Sequence, residues 1–587
     1  MLPRITFPVG LALALITTPL AAREVVLLRG EERTPYPGIQ AALDQARPGD
    51  IVELADGVYH ENPVFPRGGE AGRPITLRGK EGARPVIDGA DPELQAPNQR
   101  WTPVEHQGRT FYTAQVPFRG RNLGQAIGTW VSYHGKPGRH GCDALVAAYA
   151  SLDGLAEGMR FEGSFRKGET VTVNLQDGRN PNEVPLNIGR ANAVLDLGLN
   201  SHLRVTNLEL RNAGWSAIVA GEGSQELQGM AELDDAPAES RVACEDIEVS
   251  NLIIRNSFRG VSIGSAALRG LRLHRLVIAN GTRPDWLWSA GYKSGVGQAE
   301  GNNSDGLAPV RGFAVRLVNV REGEVSECLV SGQWDGFGLK KCDGVRLHHN
   351  TLRDLMDDGV ELESSDQKNI QFHNNHLYNV FAGLSVTSNF PGPMYLYRNV
   401  VEITHPGGRH FKPSYGVKSG HDSLGRAENV KFYHNTFYGS TLNIWEKIRD
   451  EAEDRWTGYD FVNNVFYSPK QNANFRGESP TATGAVNHWE GNVYSLDQPE
   501  EPAALHLPNL LEQFRGAVQE NPDIPRDLRL AEGSPALNSA PDYPAAKGWP
   551  DSQAEFPGGR DRGAWEDGMA PDQIGAPAAV LGLLGGH

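Results

Sequence analysis

A chain of 587 residues, 39% of them hydrophobic, can form several ordinary domains or one long repeat array. Its formal net charge of −16 opposes nucleic acid and other polyanions unless a local basic patch or a bound cation reverses the field. Sixty-eight Gly and 38 Pro without a collagen period, and four Cys in no zinc spacing, indicate a turn-rich fold with no structural zinc.

Residues 8–22 form an apolar run after Arg4 that ends in Ala21 and Ala22, the pattern of a secretory signal peptide, so a periplasmic or secreted location is expected. Leu20 makes the cleavage site imperfect, and an uncleaved anchor is the alternative. The run is short for a bilayer span and no later stretch is longer, so no stable membrane span is expected after signal cleavage.

GIQAALDQARPGDIVELADGVYHEN predicts a helix over 39–46 and then strands; the helix would cover the open end of a stack that otherwise exposes core and strand edges. RPITLRGKEGARPVIDG closes a first coil near Gly89. From 90 to about 190 the pattern changes to aromatic alternating strands such as RTFYTAQVPF, with a helix predicted in DALVAAYASLDGLAEGM. This reads as an inserted, mostly-β subdomain in which Trp101, Trp130, Tyr133 and His134 offer stacking groups.

Beyond it one phrase recurs: VRLHHNTL, IQFHNNHL, MYLYRNVV, VKFYHNTF and YDFVNNVF, each an alternating strand ending at Asn350, Asn375, Asn399, Asn435 or Asn464. Spacings of 25, 24, 36 and 29 residues suit one turn of a stacked coil with loops of varying length. A strand that is apolar at every second position cannot bury that face alone, whereas stacked copies make one continuous core. The asparagines are expected to tolerate a left-handed backbone and bond to their neighbours above and below, with earlier copies at Asn207, Asn251, Arg275 and Cys328. The fold expected is all-β, a parallel β-solenoid. The divisions are a signal at 1–22, cap and first coils at 23–89, the insertion at 90–190, coils at 191–495, a terminal coil and cap at 496–566 and a tail at 567–587.

The strand before each repeat, GFGLKK, GVELES, GLSVTS, GVKSG and LNIWEK, places its apolar residues inward and the intervening ones outward. One outward column then holds Gly338, Glu361, Ser385, Lys418 and Asn443, and the next holds Lys340, Glu363, Thr387 and Trp445. Coils stack about 4.8 Å apart, so Lys340 is expected to face Glu363. Asp335, Asp357 and Asp358 add carboxylates at the turn. Two carboxylates two residues apart on one face suit a hard cation such as Ca2+. Alternatively, close carboxylates make an acid/base pair for glycoside hydrolysis.

The coils and the ending FPGGRDRGAWE resemble secreted right-handed β-helix proteins that act on carbohydrates, which implies a right-handed parallel β-helix. Within them, GVELESSDQK resembles a motif of the alginate lyase and chondroitinase B family. That resemblance implies Ca2+ held by Glu361 and Glu363, with Lys368 as base. Two departures are visible: GLSVTSNF lacks the family's arginine, and the upstream ligand position holds Lys340 or Gly338.

Lys340, Lys418 and Asp358 complete the candidate catalytic set. Trp445, Arg398 and the basic island of Arg409, His410 and Lys412 are the candidate substrate contacts. His348, His349, His373, His376 and His434 follow the repeat and are read as structural. The first functional expectation is a lyase or epimerase acting on a uronic-acid polysaccharide. A glycoside hydrolase using Asp357, Asp358, Glu361 or Glu363 is the second, and a non-catalytic glycan-binding scaffold the third. The oligomeric state is not legible.

Overall fold

In the computed structural model the described residues are 24–119, 130–157, 162–221, 244–264, 267–281, 312–362, 366–386, 391–403, 415–419, 429–439, 442–446, 459–467, 475–476, 488–495, 502–516, 526–550, 561–565 and 574–581. The predicted signal segment lies outside them.

Three long sheets, of 15, 10 and 13 strands among these residues, run the length of the molecule. From Leu203 to Arg476 each coil gives a strand to every one of the three sheets. In one turn Arg346–His348 enters the first sheet, Thr351–Arg353 the third and Asp358–Glu361 the second. Pairing between coils is parallel and in register, so like residues stack. The inward column of the first sheet reads Leu347, Phe372, Leu396, Phe432, Phe461 and Trp489. Its rings lie face to face, with centroids 4.5 Å apart for Phe432 and Phe461 and 4.3 Å for Phe461 and Trp489. Alternation alone produces this core, because every second side chain meets its counterpart one coil away.

The corner between first and third sheets holds the asparagine ladder. Oδ1 of Asn375 accepts from both the backbone N and Nδ2 of Asn350 at 3.0 Å, while Asn350 Nδ2 also donates to Val325 O at 3.1 Å. The pattern repeats through Asn399, Asn435, Asn464 and Asn492, all fully buried. The ladder opens where Cys328 N donates to Asn350 Oδ1 at 2.9 Å.

Two expectations change here. The left-handed residue is the one before the ladder position: His349, Asn374, Arg398, His434 and Asn463 have φ between 51° and 59°. Asn207, Asn251 and Arg275 belong to this left-handed set, with φ of 54° to 57°, and are not ladder residues. The inward corner position in those earlier coils is Leu208, Leu252 and Leu276, each fully buried. An asparagine suits either position, one for its backbone and the other for its amide.

Helix Ile39–Gln45 closes the lower end, burying Ile39, Ala42 and Leu43. Glu61 accepts from the first free backbone N–H groups of this helix, those of Ile39 at 3.0 Å and Gln40 at 3.1 Å. Between Thr102 and Ile188 lie a five-stranded and a three-stranded sheet, largely antiparallel. The helix predicted there shrinks to Leu152–Glu157; Asp143–Leu145 and Ala147–Ala148 are strands, pairing with neighbours that bury Leu145, Ala147 and Ala148. Trp101, Trp130 and Tyr133 are at most 3% exposed, so they build cores and offer no stacking face to a sugar.

The insertion packs on a ridge of the solenoid made by Trp215, Phe258, Trp334, Met356 and Phe381, with Trp130 edge-on to Phe258 at 5.3 Å. Trp215, Phe258, Trp334 and Phe381 stand immediately before strands of the second sheet. The C-terminal region folds back over the coils. Arg526 Nη1 pairs with the fully buried Glu402 at 2.6 Å, and Ala576 and Val580 pack on Ile253, Val277 and Leu329. All four cysteines are free and buried.

On the outer side of the first sheet His348, His373, Tyr397 and Tyr433 form a continuous stack, with centroids 4.9, 4.6 and 4.9 Å apart. Burial pushes His373 down to about 3, and the neighbouring His348 and His349 push the same way against its bond to Asn374. Its folded proton affinity is therefore below the ordinary value, and the unfolded chain binds the extra proton first. This contribution to stability is intact above about pH 6.5 and erodes as pH falls toward 3. Between pH 7 and pH 5 the loss from this group is on the order of 2 kcal/mol. Urea midpoints at the two pH values check it: His373→Phe, which preserves the stack, should reduce the difference, and an unchanged difference would show that the cost lies elsewhere.

Candidate active site

The second sheet carries the densest cluster of carboxylates with facing cations among the described residues. Asp335–Lys340, Asp358–Glu361, Ala382–Ser385, Tyr415–Ser419 and Leu442–Glu446 pair in that order, preceded by Phe313–Val318. Phe337, Val360, Leu384 and Val417 point inward and are fully buried. Register then fixes one column: Arg316, Gly338, Glu361, Ser385, Lys418 and Trp445. Trp445 therefore pairs with Lys418, in the place expected for Asn443, because Ile444 and not Leu442 pairs with Val417.

At the centre, one carboxylate oxygen each from Asp335, Asp358 and Glu361 lie within 4.8 Å of one another. Asp335 and Asp358 are the first residues of their strands rather than turn residues. Asp335 Oδ1 accepts from the Asp358 backbone N at 3.0 Å, which locks the two coils' starts together. Asp335 is 3% and Asp358 1% exposed, whereas Glu361 reaches solvent. Burying such charges is costly without partners, and partners are present. Lys418 Nζ donates to Asp358 Oδ2 at 2.7 Å, across two coils. Arg316 Nη1 lies 3.5 Å from Glu361 Oε1, its guanidinium 4.7 Å from the centre of the Phe313 ring.

Gly338 makes this possible. A Cβ there would stand 2.5 Å from Phe313 Cε1 and 2.7 Å from Arg316 Nη1, so only a glycine leaves room for the arginine to lie across the column. Lys340, two residues further on the same outward face, is half-buried, and burial lowers its proton affinity; the charge of Lys341 adds to this and that of Glu361 opposes it.

The structure thus gathers Asp358, Glu361, Lys340 and Lys418. Sequence reasoning placed Asp335 beside the site without a role and missed Arg316. The only signal for Arg316 was its phase in FAVRLV, since its coil carries Cys328 at the ladder position. Lys368 is placed elsewhere: it is exposed, and its backbone pairs with Asp343 in the connection leading to the first sheet. Arg398 is 3% exposed and holds the left-handed corner between first and third sheets, so it does not face this cluster. Glu363, Arg409, His410 and Lys412 lie outside the described residues, as does the side chain of Trp445.

A family model described as right handed beta helix region matches residues 195–400, the coils that carry this face. The protein is a right-handed parallel β-helix. No curated protein matches the sequence. Among solved structures, XylC in complex with xylose shares 13% identity over 80% of this chain and 83% of its own, with a TM-score of 0.44. The pectate lyase Pel9A shares 13% over 90% of each chain, with a TM-score of 0.41. A mannuronic acid-specific polysaccharide family 6 lyase from human gut microbiota shares 12% over 80% of this β-helix and 88% of its own chain, with a TM-score of 0.37.

Proposed function

We propose that the outward face of the second sheet binds an exported or extracellular polysaccharide containing uronic acid and breaks it by β-elimination. The observation that carries this reading is the interleaving of three clustered carboxylates, Asp335, Asp358 and Glu361, with three cations, Arg316, Lys340 and Lys418, around one outward face.

Elimination from a uronate needs its carboxylate neutralised and a base beside C5. Three carboxylates converging within 4.8 Å form an all-oxygen donor set that suits a hard cation such as Ca2+, and Asp335, Asp358 and Glu361 would hold it. A bound cation of this kind neutralises the uronate carboxylate and so acidifies the adjacent C–H bond. Arg316 and Lys418 fix the orientation of Glu361 and Asp358. Lys340, whose burial favours the neutral amine, accepts the C5 proton at Nζ. The electron pair of that C–H bond forms the C4–C5 double bond as the C4–O glycosidic bond breaks, and the departing oxygen takes up a proton. Return of the proton to the opposite face of C5 would give an epimerase from the same first half-reaction.

Hydrolysis fits less well. Its two carboxyl groups stand about 5–9.5 Å apart, whereas here one oxygen from each of the three carboxylates lies within 4.8 Å of the others. The test is incubation with polygalacturonate, alginate and a neutral glucan, with calcium or a chelator, following near-ultraviolet absorbance and reducing ends. Absorbance that rises with a uronate polymer and falls with the chelator is expected. New reducing ends without absorbance would replace the lyase by a hydrolase, and no change with any polymer would favour a glycan-binding scaffold.

A further inference from the structure

A cavity lies beside the first coils, near the start of the second sheet. It has a volume of about 340 Å3 and is lined by Gln40, His60, Glu61, Asn62, Pro117, Arg119 and Arg190. Two of these walls come from the neck of the insertion. Arg119 is on the segment entering it and Arg190 on the segment leaving it, and the two segments pair side by side: Arg119 N donates to Arg190 O at 2.7 Å, and Asn192 N to Arg119 O at 3.2 Å. Both arginines line the cavity, in a protein of net charge −16. The single carboxylate of the lining, Glu61, is turned to the helix N–H groups of Ile39 and Gln40. Arg190 Nη2 is anchored on His60 O at 3.0 Å, which ties its guanidinium to the wall of the cavity. A carboxylate is the group that the planar fork of an arginine matches.

We infer that this cavity is a distal subsite for one uronate unit, with Arg190 and Arg119 binding the sugar carboxylate. That the anion is a sugar rests on the proposed function; that it is an anion rests on the lining. The volume suits a sugar unit. Val64, bonded on both sides to Gln40, bridges to Asp196 in the first strand of the second sheet, five strand pairings before Asp358–Glu361. At about 4.8 Å per coil the subsite stands roughly 24 Å from the carboxylate cluster, so a polymer of several units reaches both.

The test is calorimetric titration of the full-length protein with galacturonate, galactose and acetate. Galacturonate is expected to bind at least about tenfold more tightly than either of the others, and Arg190→Gln and the exposed Arg119→Gln each to weaken it by about tenfold. A chelator in the titration removes any calcium-held uronate site, and Lys547→Gln, an exposed change outside both sites, should leave this binding unchanged. Near-ultraviolet thermal unfolding of each variant separates lost binding from lost fold. Equal binding of acetate would reduce the site to an anion hole and overturn the sugar assignment. Binding that survives both arginine changes, binding abolished by Lys547→Gln, or no binding at all would overturn the subsite. Polymer cleavage measured on the same variants stays separate: if elimination persists while galacturonate fails to bind, only the subsite falls, and if galacturonate binds while no polymer is cleaved, only the proposed reaction falls.

Discussion

Lys340→Gln is expected to lower kcat/KM on a uronate polymer by about 10²–10⁴-fold, the range lost when a positioned base is removed. The change is conservative in size and sits at the end of a strand whose inward residues Phe337 and Leu339 are untouched, so folding should survive. A loss of rate could still come from altered electrostatics around Glu361, and the pH profile separates the two. Only the neutral amine accepts a proton, so wild-type kcat/KM should rise with pH through the lowered folded value of Lys340 and level off above it. Lys340→Arg keeps the charge but cannot lose a proton in this range, so it should be as inactive as the glutamine variant. Rate recovered by Lys340→Arg, or a rising limb that persists in the glutamine variant, would remove Lys340 from the base role and leave Lys418 as the next lysine to test.

The second large effect is on stability. Asn399→Leu is expected to cost about 3–6 kcal/mol, because it orphans several buried groups at once. Asn399 Oδ1 accepts from Asn375 N at 3.1 Å and Asn375 Nδ2 at 3.0 Å, and its own Nδ2 donates to Phe372 O at 2.9 Å. A leucine fills the volume and satisfies none of them. The earlier coils show that leucine itself is compatible with this corner, since Leu208, Leu252 and Leu276 stand there with apolar neighbours. The penalty is thus one of broken continuity rather than of size. Urea unfolding followed by circular dichroism measures it, and a loss below about 1 kcal/mol would mean that the ladder bonds are replaced by water or by relaxation.

The solenoid was legible because its core needs the same residue type at the same phase of every coil, and the asparagines marked that phase. The error of one position at Asn207 and Asn251 has a physical origin. The left-handed corner and the ladder both favour asparagine and sit side by side, as Asn374 and Asn375 or Asn463 and Asn464 illustrate. Where only one asparagine is present, sequence does not say which duty it performs. In the site, alternation sufficed to place Glu361, Lys340 and Lys418 outward. It did not reveal that Asp358 pairs with Lys418, because that contact spans two coils and the alternation within a strand says nothing of how far a long side chain reaches along the stack. Arg316 was hidden for a related reason: its importance comes from what Gly338 lacks one coil later. In the insertion, a run of alanines and leucines looked helical where tertiary pairing made strands.

The ladder also separates what this molecule can change from what it cannot. From Cys328 to Asn492 each coil is bolted to the next at one corner, and the spacing between bolts ranges from 22 to 36 residues without a break in the bonding. Loops at the other corners can therefore be lengthened, shortened or exchanged while the strands that present Asp335, Glu361 and Lys418 keep their relative places. For protein engineering this marks the upper coils as a chassis for grafted loops, and the leucine-cornered coils below as the half in which an insertion is free to slip the register.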